Sequence, residues 1–129
     1  MIISNGIDII DIRRIEKTID KYNFRFKKKC FHPAEISKSE SRLKSVESYA
    51  KRYAAKEALS KALGTGIRKG VNFKDIEISN NKHGKPYIKL KGETAIFLKK
   101  KIKRKKYLIY LSLSDDLPWA QATVIISYN

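Results

Sequence analysis

The chain has 129 residues, 42% of them apolar, and sets Lys+Arg 29 against Asp+Glu 13 for a formal charge of +16 at pH 7. That length suits one domain over residues 1–129 with a real core, and the apolar share is too high for a disordered composition. Apolar runs such as Val124 to Ile126 are far shorter than a membrane span, and the first residues carry neither a basic flank nor a long apolar leader core, so the sequence predicts a soluble, cytoplasmic protein.

In chain order, Ile2 to Ile10 reads as a buried strand in which Gly6 is a break and Asp8 is out of place between two isoleucines. From Asp11, a capping residue, Ile12, Ile15 and Ile19 are spaced for a helix that puts Arg13, Arg14 and Lys17 on its solvent side. Phe24 to Lys38 reads as irregular to helical, with Pro33 after His32 suited to a first helical turn. Within it Cys30, the one cysteine, excludes an intramolecular disulfide and a multi-thiolate metal site and is expected to be a small packed side chain in a reducing compartment. The strongest helix runs from Val46 to Leu63 on an apolar stripe of Val46, Tyr49, Ala50, Tyr53 and Ala54, with Gly64 at its C-terminal cap. Gly64, Gly66 and Gly70 mark a loop. Phe73 to Ile78 and Tyr87 to Leu90 form a hairpin across the turn residues Asn80 to Pro86, and a helix starts at Gly92. Tyr107 to Ser114 and Ala120 to Ser127 close the chain as a second hairpin across Asp115 to Trp119. The order predicts an α+β fold, an antiparallel sheet packed against the long helix.

Two acids stand apart from this pattern. Glu57 follows Tyr53 by four residues and Ala50 by seven, so it lies on the apolar stripe and is expected to point inward, as Asp8 is from its strand. An ionised carboxylate without a partner is costly to bury, and two inward acids on different elements can share a cation. Oxygen ligands without His or Cys favour Mg²⁺, which completes its shell with waters and substrate phosphates. Lys61 falls one turn beyond Glu57, and Gly64-Thr65-Gly66 allows close approach of backbone amides to an anion. The plainer alternative is a Glu57–Lys61 helix pair with glycines that only end the helix. No Walker A or dinucleotide-binding glycine pattern occurs.

At these residues the chain resembles the holo-acyl-carrier-protein synthase family. The resemblance is carried by Gly6-Ile7-Asp8-Ile9-Ile10, by the continuous stretch Arg52 to Gly66, by Phe73-Lys74-Asp75-Ile76-Glu77-Ile78 and by Gly84-Lys85-Pro86. It spans nearly the whole chain in order, and Arg52 to Gly66 is its specific part. The resemblance implies a 4'-phosphopantetheinyl transferase fold and activity: transfer of the phosphopantetheine arm of coenzyme A to a serine of apo acyl carrier protein, with release of adenosine 3',5'-bisphosphate, in fatty acid biosynthesis. It implies Mg²⁺ at Asp8 and Glu57, phosphate contacts from Lys61 and from Gly64, Thr65 and Gly66, a pocket lined by Ser60, and Gly84, Lys85 and Pro86 near the nucleotide. It also implies a homotrimer with sites between subunits.

One position departs from the family. Many relatives carry a His, a candidate base for the serine hydroxyl, where this chain reads Ser112-Leu113-Ser114-Asp115-Asp116. Asp115 stands in that place, as a substitute base or as part of a turn before Pro118. The acidic carrier partner implied by the resemblance is expected to dock on Arg14 first, then Arg13, Lys17, Lys21 and Arg25. Lys99 to Lys106 matches no family motif and reads as a solvated helix end. Two other functions fit parts of the sequence: a basic nucleic-acid-binding domain, which leaves Asp8 and Glu57 unexplained, and a coenzyme A-binding homologue impaired in catalysis at Asp115.

Overall fold

Alternation along the first strand decides how the chain folds back on itself. The computed structural model describes residues 1–104 and 106–128, so Lys105 of the lysine run lies outside the described residues. Strand β1 (Ile2–Asp11) leads into helix α1 (Ile12–Tyr22), whose first turn Asp11 caps by accepting from the Arg13 amide at 2.9 Å. The stretch read as irregular is two regular helices, α2 (Phe24–Cys30) and α3 (Pro33–Glu40). Asn23, at φ 43°, reverses the chain between α1 and α2. His32 and Glu35 form a reciprocal capping box around Pro33 that starts α3. Helix α4 (Ser45–Ala62) ends as expected, with Gly64 at φ 81°.

A single 3-10 turn at Phe73–Asp75 precedes β2 (Ile76–Asn80), which pairs antiparallel with β3 (Pro86–Leu90). The predicted strand at Phe73 therefore starts three residues late. Asp75 turns its carboxylate onto the Thr94 amide and hydroxyl and the Asn72 side chain, local bonds that compete with the strand ladder. Helix α5 (Gly92–Ile102) is followed by β4 (Leu108–Asp116) and β5 (Trp119–Ser127). Instead of one sheet there are two: β1-β5-β4 and the β2-β3 hairpin, all antiparallel.

The three-stranded sheet is buried on one face only. Gly6 and Ile10 of β1, Leu111 of β4, and Ala120, Ala122, Val124 and Ile126 of β5 face inward, whereas Ile7, Ile9, Tyr110 and Trp119 are about half exposed. The expectation of a fully buried first strand is corrected accordingly. Helix α4 in turn is enclosed on nearly all sides, not along one stripe. Ala50, Ala54, Ala55, Ala58 and Leu59 have no exposed surface, and Arg52, Lys56 and Ser60 are buried with them. The alanines let the sheet approach one side of α4 and the hairpin with α3 the other. Lys56, the fully buried cation, donates to Glu35 Oε1 at 2.7 Å, to the Phe73 carbonyl at 2.9 Å and to the Ile76 carbonyl. Burial lowers its pKa, and the Glu35 carboxylate opposes that. Removing either partner of such a pair costs about 3–5 kcal/mol. Cys30 is free and buried, as expected, and burial pushes its thiol up to about 11.

Candidate active site

Gly6 is the residue that brings the two acids together. A Cβ there would lie 2.0 Å from the Ala58 carbonyl oxygen and 2.7 Å from the Ala62 nitrogen, so only glycine lets the α4 backbone rest on β1. Asp8 is two residues further along the same strand face, and Glu57 and Lys61 flank Ala58 on the helix. Lys61 Nζ donates to Asp8 Oδ1 at 2.8 Å and to the Ile7 carbonyl at 3.2 Å.

Glu57 is half-buried, at the rim of the core rather than inside it, and near enough to Asp8 for that carboxylate to act on it. Its pKa is raised, first by burial and then by the Asp8 charge, against the Tyr53 hydroxyl and the Lys61 ammonium. Tyr53 itself is pushed up to about 12, by burial first and then by Glu57, so it stays protonated and donates. A half-buried carboxyl whose charge is held back by burial and by a neighbouring carboxylate, with an ammonium lodged on that neighbour, forms a site that attracts a cation. Among the described residues no group of three or more His, Cys, Asp or Glu side chains gathers.

The Gly64-Thr65-Gly66 loop differs from its expected form. Its three amides are turned back onto α4: Gly64 donates to the Lys61 carbonyl at 2.9 Å, and Thr65 and Gly66 donate to the Ser60 carbonyl at 3.3 and 3.2 Å. They satisfy the orphan carbonyls of the helix end instead of opening a cradle for an anion. Ser60 is wholly buried, and its hydroxyl donates to the Glu57 carbonyl at 2.7 Å. Lys101 of α5 reaches this loop, with its ammonium 3.5 Å from where a Gly64 side chain would begin. At least one member of the lysine run therefore faces the α4 terminus.

A second constellation lies on another side of α4. A cavity of about 520 Å³ is lined by Arg42, Lys44, Ser48, Arg52, Gly84 and Pro86, among others. Arg52 is only 4% exposed, donates to Ser48 Oγ at 3.1 Å and weakly to Asn80 Oδ1 at 3.4 Å, and leaves its Nε without a partner. Among the described residues no carboxylate lies within ion-pair distance of it. Glu35 acts on it only at longer range and Glu47 lines the same cavity, so among the described residues the guanidinium has no carboxylate in contact, and its free donor beside an open cavity suits a phosphate. Sequence reading picked out Gly84, Lys85 and Pro86 for this region and missed Arg52. The available signal was its place four residues after Ser48 and four before Lys56, a polar line on an alanine-rich helix.

Asp115 is in strand β4, paired with Ala120, and not in a turn; Leu117 and Pro118 alone make the turn. The ladder carries it because Trp119 and Ala120 continue the register past Ser114. Its Oδ1 lies 3.6 Å from Lys51 Nζ. β4 is two strands from β1, so Asp115 is about 10 Å from Asp8 across the sheet alone, and one chain does not bring the two together. On α1, Arg13 is held by Asp11 at 2.6 Å, whose carboxyl it lowers to about 2, while Arg14, Lys17 and Lys21 are exposed. Arg25 flanks a groove of about 280 Å³ with Thr18, Tyr22, Phe26 and Lys29.

Comparison with known proteins assigns this fold, with its acid pair where β1 meets the long helix, to one class of transferase. Residues 4–121 match the 4'-phosphopantetheinyl transferase superfamily. A holo-[acyl-carrier-protein] synthase of Bartonella quintana is 50% identical over 127 residues, 98% of this chain and 96% of that one. Among solved structures, holo-[acyl-carrier-protein] synthase from Neisseria meningitidis superposes with a TM-score of 0.88 at 33% identity, covering 99% of this chain and 100% of that one. The Helicobacter pylori enzyme in complex with coenzyme A gives 0.81 at 34% identity, over 95% and 99%. The chain belongs to the 4'-phosphopantetheinyl transferase superfamily, and within it to the holo-[acyl-carrier-protein] synthases.

Proposed function

We propose that this chain moves 4'-phosphopantetheine from coenzyme A to a serine hydroxyl of an apo acyl carrier protein and releases adenosine 3',5'-bisphosphate, a step that serves fatty acid biosynthesis. The observation that carries the reading is the Asp8–Glu57 carboxylate pair with Lys61 lodged on it, formed by the close contact at Gly6. The pair fits Mg²⁺, which takes one or two carboxylates and fills its shell from phosphates, and which when bound supplies charge neutralisation at the pyrophosphate. In this reading Lys61 leaves Asp8 for the phosphate of the leaving group, a shift that its half-exposed side chain allows. The serine oxygen attacks the phosphorus of the phosphopantetheine arm, the P–O bond to the adenosine bisphosphate breaks, and Lys61 meets the charge that develops there.

Arg52, with Gly84 and Pro86 at the rim and Lys85 between them in the chain, takes the nucleotide end, its buried guanidinium facing the 3'-phosphate. Ser60 and Gly64 to Gly66 act by holding the Glu57 turn and keeping Lys61 in place. These two halves lie on different sides of α4, and the outer face of the three-stranded sheet exposes Ile7, Ile9, Tyr110 and Trp119. An apolar sheet face and a site in two halves both favour a homotrimer in which neighbouring copies complete each site. Asp115 then serves the half-site opposite its own Asp8 and accepts the serine proton there. The exposed cations Arg14, before Lys17 and Lys21, on α1 and Arg25 on α2 meet the acidic carrier protein.

The test is the intact mass of a verified apo carrier protein incubated with this protein, coenzyme A and Mg²⁺, beside an EDTA-treated control. The expected result is a gain of one phosphopantetheine group only when the metal is present. No gain would leave coenzyme A binding without transfer as the function.

A further inference from the structure

Arg52 borders two cavities. Besides the one with Gly84 and Pro86, it lines a second of about 240 Å³ between α3 and the β2-β3 hairpin, with Lys38, Ser79, Asn80, Tyr87 and Lys89. Strand alternation sets the two apart. The cross-strand pair Asn80–Pro86 turns to one face of the hairpin and the pair Ser79–Tyr87 to the other, with Glu77 and Lys89 on that second face. Arg52 and Asn80 are common to both cavities.

The second cavity has a charge that its own residues leave unmatched. Lys38 and Arg52 have no carboxylate within ion-pair distance among the described residues. Lys89 has only Glu77, at 3.9 Å, and that carboxylate is already engaged by Lys91 at 2.7 Å and by Ser79 at 3.0 Å. Arg52 is 4% exposed with its Nε unpartnered, so a buried donor group and two flexible ammonium arms converge on one concave space. Asn80 is already engaged, accepting from Arg52 through Oδ1 and donating Nδ2 to the Gly84 carbonyl at 3.0 Å, so the donors left for a tetrahedral oxyanion are Arg52, Lys38 and Lys89.

We propose that this second cavity binds a phosphate dianion, either inorganic phosphate or a small phosphomonoester, and that its occupancy weakens nucleotide binding in the first cavity through Arg52. Two dianions on either side of one guanidinium repel each other and compete for its donors, and the penalty acts equally in both directions. The coupling rests on the nucleotide reading of the first cavity; the phosphate site itself does not.

The experiment titrates the full chain with inorganic phosphate, and in a separate arm with glycerol 3-phosphate, by calorimetry at constant ionic strength. The comparison is Lys38→Ala/Lys89→Ala, two exposed residues outside the transfer machinery, with thermal unfolding as the folding check. The expected result is phosphate binding weakened about tenfold or more in the variant, as loss of charged donors dictates. In the transfer assay phosphate raises the KM for coenzyme A in the parent and does so less in the variant, with KM alike when phosphate is absent. The tighter of the two probes identifies the source of the ligand. Equal phosphate binding in parent and variant overturns the site. Equal inhibition of both, with the binding difference present, overturns the coupling. If the parent shows no transfer at all, the proposed function fails while the calorimetric arm still decides the site.

Discussion

Gly6→Ala tests the contact on which the acid pair depends. The added Cβ would sit 2.0 Å from the Ala58 carbonyl oxygen and 2.7 Å from the Ala62 nitrogen, both backbone atoms of α4 that cannot rotate away. Ordinary contact needs strand and helix to part by about 1 Å or more, an overpacking that costs about 1–3 kcal/mol. For a domain of this size that lowers Tm by about 4–12 °C. The same separation moves Asp8 off Glu57 and Lys61, and a misplacement of about 1 Å costs about 10²-fold in rate. The assay is thermal unfolding by circular dichroism beside carrier modification by intact mass. A variant with unchanged Tm refutes the close approach. One that is destabilised yet transfers at the parent rate refutes the link between that contact and the site.

Glu57→Gln is expected to abolish Mg²⁺-dependent transfer and to raise Tm in EDTA. The Glu57 pKa is raised in the folded state, so its charge opposes folding at every pH above its folded value and that penalty fades as pH falls toward its unfolded value. Mg²⁺ should raise the parent's Tm and not the variant's; a metal-induced rise in both speaks against the pair as metal ligand. Arg52→Ala should raise the KM for coenzyme A about tenfold or more, with little further effect when 3'-dephospho-coenzyme A is the substrate, because the partner of the guanidinium is then already missing. Asp115→Asn should slow single-turnover transfer while leaving coenzyme A affinity alone; an unchanged single-turnover rate returns Asp115 to a strand-end pair with Lys51. Arg14→Glu should raise the KM for the carrier protein, more at low salt than at high, and leave coenzyme A binding unchanged; loss of both affinities together would place the carrier elsewhere.

Periodicity alone carried much of the fold. The strand before Asp11, the cap at Asp11, the long helix ended by Gly64, and the two hairpins all follow from local rules that act within a few residues, so they are legible in one dimension. The contiguous motif from Arg52 to Gly66 and the lone Asp8 likewise name a family from residue order. What needed the folded chain is whatever depends on approach between distant segments. Gly6 looked like a break in a strand and is the contact surface for α4. Glu57 and Lys56 are adjacent, and a wheel with one apolar stripe put the wrong one inside. Only the packing of α4 between sheet and hairpin encloses Lys56 with Glu35 and leaves Glu57 at the rim. The loop amides looked free until the helix end claimed them. Arg52 became notable only when no acid among the described residues came within ion-pair distance of it. Burial and partnership are sums over the whole chain, and so the sequence determined the elements and the chemistry present, while tertiary structure decided which charges are buried, which are paired and which still face an open cavity.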